Sequence, residues 1–230
     1  MAEFIFLPPP PVTVPVTDGR LFPVRRVFCV GRNYAAHARE MGNDPTREKP
    51  FFFSKPADAV VISGRDTPYP SQTVNFHHEI ELVVAIGAGG REISVADALS
   101  HVFGYAVGVD FTRRDLQDEA KAMRRPWDMS KGFDASAPIS DIIPASQIGH
   151  PSAGQITLKV NGDTRQSGDL SDQIWPVADI ISSLSCFVAL AAGDLIFTGT
   201  PEGVGAVIAG DVLEGKIEGV GTLHTVITGR

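Results

Sequence analysis

Short apolar runs separated by Gly, Pro and polar clusters dominate the chain, which is the pattern of a β-rich protein with few helices. Strands are predicted over 25–30, 51–53, 59–62, 79–86, 105–109, 194–198, 211–217 and 222–228. Residues 79–86 are the central strand, because the run is wholly apolar beyond its two acids. The segments 156–160 and 164–167 read as a hairpin, since Asn161-Gly162 accepts the left-handed turn that joins two twisted strands. Helical spacing of apolar residues predicts the longest helix over 177–190. Shorter helices are predicted over 115–123 and over 95–101, the latter capped by Ser94. Asn33 is a candidate N-cap for a helix through residue 41, with Gly42 as its stop and a polar loop over 43–49. The expected class is α+β, rich in β-structure.

Residues 1–24 are Pro-rich, with Pro8, Pro9, Pro10 and Pro11 in a row. They read as an extended arm or edge strand in front of a domain over 25–230. A chain of 230 residues suits one domain with a sizeable core. Its 43% hydrophobic and 20% charged residues exclude a disordered chain. A net charge of −7 excludes general affinity for nucleic acid or anionic membrane. Local arginines still leave room for a small anionic substrate. No run reaches the roughly 18 apolar residues of a membrane span. The N-terminus lacks the pattern of a signal peptide, so a cytoplasmic protein is expected. Cys29 and Cys186 both sit in apolar runs without metal-ligand spacing, and both read as buried thiols in a reducing compartment.

The chemistry centres on His77-His78-Glu79-Ile80-Glu81. Side chains at i and i+2 of a strand share a face, so Glu79 and Glu81 would lie side by side in a buried sheet. Two unpaired buried carboxylates repel and would protonate, and a divalent cation resolves that conflict. Asp110 closes the apolar run 105–109 and reads either as a turn cap or as a third ligand. An all-oxygen set suits Mg²⁺, Mn²⁺ or Ca²⁺. His77 and His78 adjoin it, either as zinc ligands or as an orienting partner and a packing residue.

Four other features carry candidate chemistry. His37 and Glu40, at i and i+3, are either a surface hydrogen bond or a general base with its orienting carboxylate. Lys131 is either a solvated lysine or a cation at the site. Arg114 and Gln117 share a helix face just after Asp110. The small residues of Thr198-Gly199-Thr200-Pro201 allow close backbone approach.

Taken in order, Gly31-Arg32-Asn33-Tyr34, His37-x-x-Glu40, His78-Glu79-x-Glu81, Gly108-Val109-Asp110, Arg114-Asp115-x-Gln117, Ser130-Lys131 and Thr198-Gly199-Thr200-Pro201-x-Gly203 resemble the fumarylacetoacetate hydrolase superfamily. The resemblance spans residues 25–228. It implies a mixed β-sandwich roll, a homodimer, and Mg²⁺ or Mn²⁺ held by Glu79, Glu81 and Asp110. It implies that His37 and Glu40 activate water, and that Lys131 polarises the substrate or stabilises developing charge. It implies a pocket lined by Arg32, Tyr34, Lys55, Arg114, Gln117 and Thr200. The implied reaction is hydrolysis of a C–C bond in a 1,3-diketo acid, an acylpyruvate. Fumarylpyruvate of aromatic-acid breakdown (the gentisate pathway) is the expected substrate, its distal carboxylate meeting Arg124 or Arg125. The rival readings are oxaloacetate decarboxylation, hydroxy-dienedioate isomerisation, and a non-catalytic metal-binding protein.

Overall fold

The strand Ile80–Ile86 is buried along its whole length, because both faces of the sheet that contains it are covered. Ile80, Leu82, Val84 and Ile86 point into one apolar cluster, and Val83 and Ala85 into another. This strand lies inside an eight-stranded mixed sheet of the computed structural model, which describes residues 4–34 and 49–230. The order is Phe52–Lys55, Arg26–Val30, Asp194–Phe197, Ile80–Ile86, Val102–Val109, Ala137–Ile139 and Val60–Ile62, with Ile143–Pro144 beside Val102–Val109. Asp194–Phe197 runs parallel to Arg26–Val30, and Ala137–Ile139 parallel to Val60–Ile62. The other pairings in this sheet are antiparallel.

A five-stranded sheet packs Ile156, Leu158, Leu213, Leu223 and Ile227 against the first cluster. The helix Val177–Phe187 adds Ile180, Ile181 and Leu184 to the same core. The fold is therefore the β-rich α+β arrangement expected. The hairpin also forms, with Asn161 at φ 54° and Gly162 at φ 88° as its left-handed turn.

Several elements differ from expectation. The strand expected over 79–86 begins at Ile80. Phe76–His78 belongs instead to a three-stranded sheet with Thr112–Arg113 and Gly205–Ala206, which leaves Glu79 at the junction. The helix expected over 95–101 is a 3₁₀ turn over Ala98–His101, preceded by a Ser94 Oγ–Asp97 Oδ2 hydrogen bond of 2.7 Å. The helix expected to reach residue 190 ends at Phe187, because Val188 turns extended and Leu190 bridges to Gly90. Cys29 is buried, but Cys186 is exposed, being off the apolar face of its helix. The Pro-rich segment is not wholly an extended arm. Thr13–Pro15 and Leu21–Pro23 pair, and Val14, Val16 and Phe22 bury against Val27, Cys29 and Leu195. The expected helix and loop over 33–49 fall almost entirely within 35–48, outside the described residues.

Candidate active site

The three acids come together through strand register. Ile80 pairs with Val109 and Glu81 with Gly108 across an antiparallel ladder. The Asp110 amide then donates to the Glu79 carbonyl at 2.8 Å, extending the ladder by one rung. Residues facing each other across a ladder share a sheet face, and so do i and i+2. Glu79, Glu81 and Asp110 therefore converge, each offering one oxygen within 4.8 Å of the others. All three are buried.

Cations surround two of the three. Lys131 Nζ donates to Glu79 Oε2 at 2.8 Å and to Asp110 Oδ2 at 2.6 Å. The Arg114 guanidinium pairs with Glu79 Oε1, which Thr112 Oγ1 also approaches at 3.1 Å. Lys55 Nζ lies 2.8 Å from Asp110 Oδ1 and donates to the carbonyls of Phe111 and Lys131. Among the described residues no cation pairs with Glu81, which accepts only from the Gly199 amide, at 2.7 Å. Burial and the charges of Asp110 and Glu79 push the Glu81 carboxyl well above its ordinary range. A dication among these oxygens relieves that penalty, so the donor set fits a hard divalent ion.

The Gly199 amide reaches Glu81 because its backbone is left-handed at φ 94°, and a Cβ there would stand 2.7 Å from the Asn33 Cβ. Asn33 locks this corner. Its side chain donates to the carbonyls of Trp175 and Thr198 at 3.0 and 2.8 Å and accepts from the Trp175 amide at 2.7 Å.

Neither histidine joins the oxygens, so the zinc alternative loses its ligands. His78 Nδ1 hydrogen-bonds Gln166 Oε1 at 2.9 Å, and His77 Nε2 hydrogen-bonds Asn75 Oδ1 at 2.7 Å. Burial and the neighbouring Arg114 push the His77 pKa down to about 4, so that ring is neutral at pH 7. Gln166 is a clamp that the sequence does not flag. Its Oε1 accepts from the Ile80 amide at 3.0 Å, and its Nε2 donates to Thr200 Oγ1 at 2.8 Å.

Lys131 is not a solvated lysine but is 2% exposed. Burial alone would lower its pKa, yet Asp110 and Glu79 hold it above the ordinary 10.5. It is therefore a fixed ammonium. The site opens between Gly31, Arg32, Arg114, Gln117, Lys121 and Trp127. Gly31 lets the Phe51 ring pack directly on its backbone, since any Cβ there would overlap that ring. Beside it lies an aromatic cavity of about 380 Å³ bounded by Phe51, Phe53, Pro126 and Trp127, with Lys131 also on its wall.

Of the residues expected to line a pocket, Arg32, Arg114 and Gln117 border the opening. Lys55 sits behind Asp110, Thr200 is 3% exposed under Gln166, and Tyr34 is 1% exposed. His37 and Glu40 lie outside the described residues. Arg124 and Arg125 are exposed and do not border the opening; Arg125 faces Glu119 at 3.5 Å. Lys121 and Trp127 stand there instead. Lys121 was legible in principle, being one helical turn beyond Gln117 on the same face.

The fold and the carboxylate triad define a divalent-metal enzyme. The description of the family whose model matches residues 26–228 is fumarylacetoacetate (FAA) hydrolase C-terminal, and the chain belongs to that family. The chain is similar to the crystal structure of fumarylpyruvate hydrolase from Pseudomonas aeruginosa in complex with Mn²⁺ and pyruvate. The identity is 55%, the coverage 99% of this chain and 100% of that one, and the TM-score 0.97. It is 44% identical to the fumarylpyruvate hydrolase of Ralstonia sp over 80% of this chain and 95% of that protein. It is also 43% identical to the mitochondrial oxaloacetate tautomerase of Rattus norvegicus, over 85% of this chain and 88% of that protein. Among the described residues no helix is long and apolar enough to cross a membrane.

Proposed function

We propose that the protein hydrolyses an acylpyruvate, with fumarylpyruvate as the substrate and fumarate and pyruvate as products. The observation that carries this reading is the buried oxygen triad opening onto a mouth walled by Arg32, Arg114, Lys121 and Lys131. A site so built takes an anionic keto acid and neutralises charge that develops on its oxygens. The likeness to the Pseudomonas aeruginosa enzyme that binds Mn²⁺ and pyruvate supports the same substrate class.

Glu79, Glu81 and Asp110 hold Mg²⁺ or Mn²⁺, and the ion supplies Lewis-acid polarisation of the keto acid. His37, oriented by Glu40, takes a proton from water, whose oxygen adds to the acyl carbonyl carbon. The bond from that carbon to the pyruvate methylene then breaks. The electron pair leaves as pyruvate enolate, which takes up a proton to become pyruvate. Lys131, held protonated by its two carboxylates, stabilises the enolate oxygen. Arg114 and Gln117 position the substrate carboxylate. Arg32, Tyr34, Lys55 and Thr200 complete the binding wall. The same reading makes the protein a cytoplasmic homodimer that serves the gentisate route of aromatic-acid breakdown.

The second reading is an oxaloacetate tautomerase, favoured by the relatives of that name. The experiment incubates the Mn²⁺-loaded protein with fumarylpyruvate and with oxaloacetate and assays products by chromatography. Stoichiometric fumarate and pyruvate carry the hydrolase. Enol–keto exchange of oxaloacetate without cleavage of fumarylpyruvate replaces it with the tautomerase, and CO₂ release replaces it with a decarboxylase. His37→Ala is expected to keep Mn²⁺ binding and lose turnover; near-full turnover would remove His37 as the base.

A further inference from the structure

The helix Arg114–Ala122 presents Arg114, Gln117 and Lys121 at i, i+3 and i+7, one stripe along the mouth. The first two are committed inward. Arg114 binds Glu79 and Gln117, and Gln117 accepts from it. Lys131 and Lys55 are likewise committed to Glu79 and Asp110. Lys121 differs from these three cations. Among the described residues the nearest carboxylate oxygen to its ammonium is Asp118 Oδ1, at 3.7 Å, on a side chain that is 60% exposed. Its Nζ lies 5.5 Å from the Trp127 ring centre. That ring also walls the aromatic cavity next to the mouth. The seven residues from Arg114 place Lys121 about 10 Å further along the helix axis.

Resting on the acylpyruvate reading above, we propose that Lys121 sets specificity for dicarboxylic substrates. Its ammonium receives the carboxylate at the far end of a keto acid whose 2-oxo-acid end lies at Glu79, Glu81 and Asp110. The electrostatics agree. Burial lowers the Lys121 pKa, and the nearby charges of Arg114 and Arg32 lower it further, so a second anion at this end relieves repulsion among the cations. An acyl group ending in a methyl offers Lys121 nothing in return for its desolvation.

The test compares wild type, Lys121→Met and Lys121→Arg, all loaded with Mn²⁺, on fumarylpyruvate and on acetylpyruvate. The ratio of kcat/KM between the two substrates is expected to fall about 30-fold in K121M, mostly through KM for fumarylpyruvate, as for loss of one charge-assisted hydrogen bond. K121R is expected to recover most of that ratio. An unchanged ratio in K121M overturns the assignment, whatever happens to the absolute rates. If wild type cleaves neither acylpyruvate, the hydrolase reading fails separately. Lys121 is then judged by calorimetric binding of 2-oxoadipate against 2-oxohexanoate. A preference for the dicarboxylate that K121M abolishes sustains the proposal, and equal binding of the two by wild type overturns it.

Discussion

Asp110 faces Glu79 across the central ladder, and its amide donates to the Glu79 carbonyl at 2.8 Å. Lys131, Lys55 and Arg114 share those two acids and set three cations against their charge. Among the described residues Glu81 has no such cation, and this asymmetry generates the first expectation. Glu81→Gln removes a charge that burial penalises, so the metal-free variant unfolds at the same urea concentration as wild type or a higher one. Manganese at 100 times its Kd adds about 2.7 kcal/mol to wild type. In E81Q the Mn²⁺ affinity falls about 100-fold or more, and that increment disappears. Denaturation with and without Mn²⁺ measures both effects. A metal-free E81Q protein clearly less stable than wild type would show that Glu81 supports the fold by itself.

Lys131→Met separates catalysis from ion binding. The ammonium shares oxygens with the ion, so its removal takes away a repelling charge. The Mn²⁺ affinity of K131M therefore stays level or rises, while kcat on fumarylpyruvate falls about 100-fold or more, as for loss of a preorganised electrostatic donor. Calorimetry and steady-state rates provide the two readouts. Loss of Mn²⁺ binding would make Lys131 a brace for the acids instead.

Gln166→Leu tests the clamp beneath the site. The substitution strips partners from the Ile80 amide and from His78 and Thr200, all buried. Buried groups left unpaired cost far more than a hydrogen bond contributes, so a loss of about 2 to 4 kcal/mol is expected from urea unfolding. A loss under about 0.5 kcal/mol would mean that water replaces the amide.

Asp115 supplies a pH signature away from the oxygens. Burial would raise its pKa, but Thr73 Oγ1 at 2.6 Å and the amides of Val74 and Leu116, each at 2.9 Å, hold it below the ordinary 3.8. A carboxyl with a lowered folded pKa adds stability above its unfolded pKa and loses it as pH falls through the folded value. Below about pH 4, wild type therefore loses stability more steeply than Asp115→Asn. Equal slopes in acid denaturation would remove the contribution.

The parts legible in the sequence are those governed by local pattern. The period-two rule places Glu79 and Glu81 on one face, and Asn161-Gly162 specifies its turn without help from the rest of the fold. The triad is legible because an acid is costly in an apolar run, so each one there demands an explanation. The illegible parts depend on distant pairing. Gln166 lies 86 residues from Ile80, and no local pattern announces a glutamine that holds a strand junction. The burial of Val14, Val16 and Phe22 against the large sheet was hidden behind the prolines between and before them. Arg124 and Arg125 look suited to an anion by charge alone. The chain turns at Arg124, with φ 54°, and both are exposed, leaving Lys121 on the helix face that borders the opening.

The pairing of Ile80 with Val109 has a consequence for how the protein matures. A slip of one residue between these neighbours would turn Asp110 to the opposite side of the sheet while an apolar chain still found apolar company. Such a misassembled chain would be compact yet unable to hold manganese. Titrating a refolded preparation with Mn²⁺ therefore counts the molecules whose two strands have met in the right alignment.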